Sequence, residues 1–502
     1  MNKINTKNKS TSNIYYLVFL VSYFLILIYL ADKIYIWEDE SYSLNTSSFK
    51  FSEVIRLSYN FEGQPPFYFL LLSLWRLMNS SIFFARLLSV IFIGGSAYFL
   101  QRLAILVTKR NNVRWLIVVF LLNPFTVWAS LEIRLYALVI LLSTICVFFY
   151  MRYYLGNKNK DLYILLIVSL IGLYTQYFFA FLITSFAFTL WIFKGRSQFI
   201  KFCIYFIPVV LLFLPNLIFV PDQLSMAQQH LNVNRKHIFD VLRTPQDFIM
   251  SLSTLPLEQY VRWIIKIPFI LLFIFAFFKL TRDKTSAIAY YKNSLKILLS
   301  IICICMVLFI ILIPSLSLIF QEKYMLITFT LFILLFLLMD IFQLRNYIFG
   351  AISLYFISIL IIKYQYPEKT YNFKVVSNYL EKVELPNEPI LFYGKSILPP
   401  FQYYYSGNNK LFPLPPINYD KDYYEERITD TAGLNNQITS INSATNSYIL
   451  VTESITGFKY IQTLTKQMIE KSLKDRYLIS LDTTFKSRNS ENFLRVQRLE
   501  KR

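Results

Sequence analysis

IYYLVFLVSYFLILIYL, residues 14–30, decides the class of fold: seventeen positions pass without a charged side chain. A helix needs a run of roughly 18 apolar residues to cross about 30 Å of hydrocarbon, and this one continues into Ala31 before Asp32 and Lys33 close it. Lys3, Lys7 and Lys9 precede it, an order shared with secretory signal peptides, but no small-residue cleavage site follows. The stretch reads as a retained first span. The rest of the chain repeats the theme. Of 502 residues, 56% are apolar, 18% aromatic and 16% charged, and the mean hydropathy is +0.46, too oily for a water-soluble domain.

Taking each apolar run as a span gives candidates near 14–31, 83–107, 115–131, 135–151, 162–175, 177–193, 201–220, 263–280, 296–319, 325–342 and 346–363, about eleven in all. The formal charge of +20 follows this pattern instead of marking a nucleic-acid surface. With a cytoplasmic N-terminus, Lys109, Arg110, Arg114, Arg152, Lys158, Lys160, Lys194, Arg196, Lys201, Arg282, Lys284, Lys292, Lys296 and Arg345 fall inside. An odd span count then places the C-terminus outside. The expected fold is mainly α, a polytopic transmembrane helical bundle over 1–363. An extracytoplasmic soluble α/β domain follows over 364–502. There Glu388 to Tyr393, Ser447 to Val451, Tyr477 to Leu481 and Asn492 to Arg498 read as strands. Phe373 to Glu384 and Thr456 to Lys474 have helical spacing. The expected location is the plasma (inner) membrane. Cys146, Cys203, Cys303 and Cys305 all lie in apolar runs, without metal or disulfide spacing, and read as buried thiols.

Chemistry-bearing residues gather in the outer connections. The loop at about 32–81 opens with Trp37-Glu38-Asp39-Glu40-Ser41-Tyr42-Ser43. Crowded carboxylates raise the proton affinity of at least one, which suits a general base. A helix N-terminus with acids facing its dipole explains the same residues as well. Later in the loop stands Phe61-Glu62-Gly63-Gln64-Pro65-Pro66-Phe67-Tyr68, where the prolines set the entry into a helix. Asn123-Pro124 leads to Leu131-Glu132-Ile133-Arg134-Leu135-Tyr136 at an outer mouth. Ionisable groups at that depth usually serve function, though an internal Glu132 to Arg134 pair or a snorkelling Arg134 fits too. Arg86, four residues into its span, reads as a brace of the bundle. Tyr174-Thr175-Gln176-Tyr177 and Gln321-Glu322-Lys323-Tyr324 are two further polar interruptions on the same side.

Taken in order, these motifs resemble the GT-C glycosyltransferases, specifically the family 39 group that includes protein O-mannosyltransferases and the aminoarabinose transferase of lipid A. The resemblance covers most of residues 12–345. It implies inverting transfer of a sugar from a polyprenyl-phosphate donor, held among membrane lipids, to a hydroxyl on a protein, lipid or glycan acceptor at the extracytoplasmic face. On this resemblance Asp39 matches the catalytic aspartate, and Glu40 orients it or the acceptor. Arg134 and Lys323 match positions near the donor phosphate, while Glu62, Gln64, Glu132, Tyr136, Gln176 and Tyr324 are candidates for the site wall. Gln64 and Gln176 stand where relatives often carry histidine or lysine, and Lys323-Tyr324 replaces the usual Arg-Tyr. No metal is assigned, since those departures weaken the case for a divalent ion and leave only His230 and His237 as distant ligand candidates. The reaction needs none of the paired acids of a glycosidase, because a lipid phosphate leaves as a stable anion. A transporter or flippase of lipid-linked sugars is the rival reading; it predicts polar breaks near the bilayer midplane rather than at one mouth. A third makes the C-terminal domain a binding module anchored by the spans.

Overall fold

The computed structural model describes residues 2–110, 112–229, 238–250, 266–275, 278, 286–316, 322–341, 345–393, 397–414, 438, 441, 446–454, 477–488 and 492–502. Their contacts divide the chain into two units, Met1–Asp32 with Gly63–Tyr364, and Lys33–Glu62 with Gln365–Arg502. The helices in chain order begin with α1 (Asn2–Lys33), α2 (Glu38–Thr46), α3 (Phe51–Asn60), α4 (Phe67–Arg76), α5 (Ile82–Thr108), α6 (Arg114–Leu122) and α7 (Pro124–Ser130). Next come α8 (Tyr136–Gly156), α9 (Asn159–Leu173), α10 (Phe179–Lys194), α11 (Arg196–Phe213), α12 (Val220–Gln229) and α13 (Ile238–Met250). The series ends with α14 (Lys266–Phe275), α15 (Ser286–Leu316), α16 (Phe329–Leu334), α17 (Arg345–Lys363), α18 (Phe373–Val383) and α19 (Leu398–Phe401).

The first unit is a helical bundle whose polarity is that of a membrane protein. Six stretches among the described residues are long and apolar enough to span: Asn13–Lys33, Ile82–Thr108, Tyr136–Gly156, Arg196–Leu224, Lys292–Ile311 and Asn346–Lys363. Shorter apolar helices cover Phe67–Arg76, Phe179–Lys194, Lys266–Phe275 and Lys323–Met339. Large apolar side chains such as Leu17, Leu25, Ile204, Val210 and Leu354 are exposed, while Ser89, Ser96, Ser143, Thr144, Ser169, Ser185 and Thr189 are buried between helices. This inversion is expected where the solvent is lipid. Thr144 and Thr330 share a hydroxyl hydrogen bond of 2.7 Å. Arg86 is fully buried, and its Nη1 donates to the Ala31 carbonyl at 3.0 Å, bracing α5 against the end of α1 as its position suggested. The chain is an integral membrane protein.

Several apolar runs are not single continuous helices. The run at 115–131 is α6 and α7, because Pro124 has no amide to donate and disfavours helical backbone at the residue before it. Asn123 accordingly adopts φ −59° and ψ 127°. Its Oδ1 accepts from the Phe125 amide at 2.9 Å, and its Nδ2 donates to the Phe248 carbonyl at 2.8 Å. The run at 325–342 is a tightened segment in which α16 lies between 3-10 turns Glu322–Thr328 and Leu335–Ile341. With 15 and 16 residues, α9 and α10 reach only roughly 22–24 Å. Of the four cysteines, Cys146 and Cys305 are buried as expected, but Cys203 and Cys303 are exposed on the apolar flank. Helical spacing turns one face of a span outward, every third or fourth residue, regardless of type.

The second unit is built on a five-stranded mixed sheet of β1 (Ile390–Tyr393), β2 (Leu411–Leu414), β3 (Ser447–Ser454), β4 (Tyr477–Lys486) and β5 (Phe493–Lys501). Their order is β2-β1-β3-β5-β4. β1 runs parallel to β2 and β3, and β5 antiparallel to β3 and β4. Alternation sends Ile390, Phe392, Ile449, Val451, Leu494 and Val496 to one face, where Phe373, Val376 and Leu380 of α18 cover them. Leu391, Tyr448, Leu450 and Leu499 turn to the other. The strand and helix expectations for 373–384, 388–393, 447–451, 477–481 and 492–498 match these elements. The helix expected at 456–474 lies outside the described residues, as does most of the loop at about 221–262 beyond α12 and α13.

One buried ion pair fastens this sheet. Glu388 is fully buried; Arg498 donates to it from Nε at 2.8 Å and from Nη2 at 3.0 Å, and Ser447 donates at 2.6 Å. Arg498→Met therefore leaves an uncompensated buried carboxylate and is expected to cost about 3–5 kcal/mol. Adding Glu388→Gln should return part of that loss, as read by thermal unfolding of the second unit in purified protein. In the first unit, Asn123→Ala removes both a cap and the partner of a buried carbonyl, a loss of about 1–3 kcal/mol visible as a lower unfolding temperature in detergent.

Candidate functional site

The acidic stretch of the first loop forms the first turn of α2, within the second unit. Consecutive helical positions diverge by about 100°, so Glu38, Asp39 and Glu40 leave the turn in different directions. Each carboxylate has its own surroundings. Glu38 accepts from the Tyr42 hydroxyl at 3.0 Å. Glu40 is fully buried; its Oε2 accepts from Lys369 Nζ at 2.7 Å and from the Trp37 amide at 3.4 Å. Asp39, between them, is half-buried. The helix N-terminus expected for this stretch is present, with its acids facing the positive end of the dipole.

Residues of the C-terminal segment frame that turn. The Tyr35 amide donates to the Pro367 carbonyl at 2.8 Å, the Ile36 amide to Tyr404 Oη at 2.7 Å, and the Tyr35 and Tyr404 rings meet at 5.3 Å. Tyr371 donates to Glu453 Oε2 at 3.1 Å. Burial first, then the Glu453 and Glu38 carboxylates, pushes the Tyr371 phenol far above its ordinary pKa, so it acts as a fixed donor. At the far end of α2, Thr46 donates to Glu62 Oε1 at 3.2 Å, and the Tyr42 and Phe61 rings meet edge to face at 5.1 Å. Gly63, at φ +62°, then turns the chain through a left-handed conformation that a side chain would strain.

The remaining candidates lie in the first unit, at the end of the bundle where α8 and α10 begin. Glu132 is buried in the turn after α7, and its carbonyl accepts from Ser89 Oγ at 2.6 Å. Arg134 is buried two residues on. Tyr136 opens α8, stacked on Trp128 at 4.8 Å, with Lys323 Nζ 5.5 Å from its ring centre. Tyr324 stacks on Phe178 at 5.0 Å. Gln176 is buried in the turn between α9 and α10, and the Phe67 amide donates to the Tyr174 carbonyl at 3.0 Å. That turn depends on Gly172, where a Cβ would come within 2.4 Å of the Phe179 ring. The structure therefore brings together the Pro-Pro-aromatic, Glu-x-Arg-x-Tyr, Tyr-Thr-x-Tyr and Lys-Tyr motifs, although up to 260 residues separate them. Gln64 is half-buried just before α4.

Asp39, Glu40 and Glu62 thus belong to one unit, and Gln64, Glu132, Arg134, Tyr136, Gln176, Lys323 and Tyr324 to the other. Lys369, Tyr371 and Glu453 escaped the reading of the sequence. The only local signal was a Pro-Glu-Lys-Thr-Tyr run soon after the last span. No group of three or more His, Cys, Asp or Glu residues that could hold a metal is found among the described residues. His230 and His237 lie outside them.

No protein-family model matches the sequence, and no curated protein matches it. Solved structures do. The crystal structure of ArnT from Cupriavidus metallidurans bound to undecaprenyl phosphate matches with a TM-score of 0.52 at 9% identity, covering 96% of this chain and 97% of that one. The apo-state structure of ArnT from the same organism matches with a TM-score of 0.43 at 9% identity, over 97% and 98% of the two chains. At such identity the likeness is one of architecture. This chain has an ArnT-like fold over nearly its full length, a membrane helical bundle continued into a C-terminal mixed-sheet domain.

Proposed function

We propose that this protein is an integral membrane glycosyltransferase that moves a sugar from a polyprenyl-phosphate donor to a hydroxyl acceptor, with inversion, at the extracytoplasmic face of the plasma membrane. The observation that carries the reading is the ArnT-like fold spanning 96% of the chain, joined to a motif series that gathers at helix ends rather than in mid-span. That the matching ArnT structure holds undecaprenyl phosphate supports the carrier class. The apolar runs are read as about eleven spans, the basic loops support a cytoplasmic N-terminus, and the odd count then puts the C-terminal domain outside.

In this reading the acceptor hydroxyl gives its proton to Asp39 as its oxygen attacks the anomeric carbon. The bond from that carbon to the donor phosphate oxygen breaks, and the electron pair leaves with the lipid phosphate. A phosphate needs positive charge rather than a proton, so Arg134 and Lys323 are assigned to it. Arg134 offers the planar fork and Lys323 a compact charge above the Tyr136 ring. Glu40 is assigned to orienting Asp39 or the acceptor, while Glu62, Gln64, Glu132, Tyr136, Gln176 and Tyr324 are assigned to the walls around sugar and acceptor.

Asp39→Asn is expected to lower transfer by about 10²–10⁴ while donor binding persists, measured with a labelled polyprenyl-phosphate sugar in membranes. Wild-type turnover by that variant removes the base assignment. Arg134→Ala should weaken donor affinity about 10–100-fold with a smaller effect on the acceptor KM. Equal effects on both would assign Arg134 to structure instead. A flippase would give no glycosylated product in the same assay.

A further inference from the structure

We propose that Lys369 is a positioning residue for this transfer: through its ion pair with Glu40 it fixes the helical turn that presents Asp39. The inference rests on the assignment of Asp39 as base, and goes beyond it by giving the C-terminal segment a part in the chemistry.

One carboxylate oxygen carries two tasks. Glu40 Oε2 takes the Lys369 ammonium at 2.7 Å and the Trp37 amide at 3.4 Å, so the same atom caps the start of α2 and ties it to the segment after the last apolar helix. The pair is deeply placed, with the Glu40 side chain fully buried and that of Lys369 15% exposed. Two residues further on, Tyr371 donates to Glu453 and senses the charge of Glu38. Glu40 therefore meets the 369–371 stretch directly, and the Glu38 carboxylate adds to the raised pKa of Tyr371. Just upstream, the Tyr35 and Ile36 amides are spent on Pro367 and Tyr404, which fixes the approach of the chain to Trp37. Asp39 sits between these anchored neighbours and is itself half-buried.

A buried carboxylate stripped of its cation must move, protonate or let water in. Any of these turns the first helical turn, and a displacement of about 1 Å at a reacting group can cost 10²-fold in rate.

The test uses the full-length protein in lipid nanodiscs, comparing wild type with Lys369→Met, Lys369→Arg, Glu40→Gln and the Lys369→Met/Glu40→Gln pair. Turnover is expressed per donor-binding molecule, so loss of folded protein does not enter the rate. Lys369→Met should lower kcat about 10–100-fold while the donor KM stays within about twofold, and Lys369→Arg should recover most of the loss. The double variant should be no worse than the poorer single one, because both remove the same contact. Amide hydrogen exchange over residues 38–46 should quicken in Lys369→Met and return in Lys369→Arg. Unchanged kcat, a loss confined to donor KM, additive single effects, or unaltered exchange in α2 would each overturn the positioning role. Absence of transfer by the wild type would instead remove the glycosyltransferase reading, and exchange in α2 would still decide whether Lys369 anchors the turn.

Discussion

Lipid offers no hydrogen bonds, and that constraint governs the first unit from end to end. Every amide and carbonyl in the hydrocarbon must find an internal partner, so apolar sequence becomes helix and each break needs its own repair. Asn123 is the clearest repair. Pro124 withdraws an amide, and the Asn123 side chain answers by capping Phe125 and reaching the Phe248 carbonyl. Turns at the candidate site obey the same rule: the Glu132 carbonyl is met by Ser89, and the Tyr174 carbonyl by the Phe67 amide. Polar motifs at helix ends are therefore structural necessities before they are chemical opportunities.

The chemistry assigned to those motifs has a matching economy. A leaving group that is already an anion asks for cations, and a hydroxyl nucleophile asks for one base. In the proposed reading Arg134 and Lys323 are assigned to the first and Asp39 to the second. The carboxylates beside Asp39 have other work. Glu40 is committed to Lys369 and Trp37, and Glu38 to Tyr42.

Much of this was legible in the sequence, and the remainder was hidden for identifiable reasons. Apolar length reports which residues meet lipid or core, so the long runs around α1, α5, α8, α11, α15 and α17 were plain. It does not report helix continuity, which is why 115–131 looked whole until the φ and ψ of Asn123 were known. Alternation revealed β1, β3, β4 and β5. It missed β2, Leu411–Leu414, a four-residue edge strand containing Pro413, because proline is tolerated only where one side of a strand is unpaired. Asp39 and Glu40 stood out as neighbours in the chain, yet the burial of Glu40 beside a half-buried Asp39 was not readable from adjacency. Nor was Lys369, since a pair spanning 329 positions leaves no local pattern.

The second unit is assembled from two pieces of chain, Lys33–Glu62 and Gln365–Arg502, and this has a consequence for biogenesis. During synthesis the acidic helix leaves the ribosome long before Lys369, Tyr371 and Tyr404 exist. At roughly 5–20 residues per second, α2 waits tens of seconds for the partners that hold its first turn. The contact that holds the start of α2 thus forms only after the intervening helices have been synthesised. The order of the chain therefore sets when the buried Glu40–Lys369 pair can form.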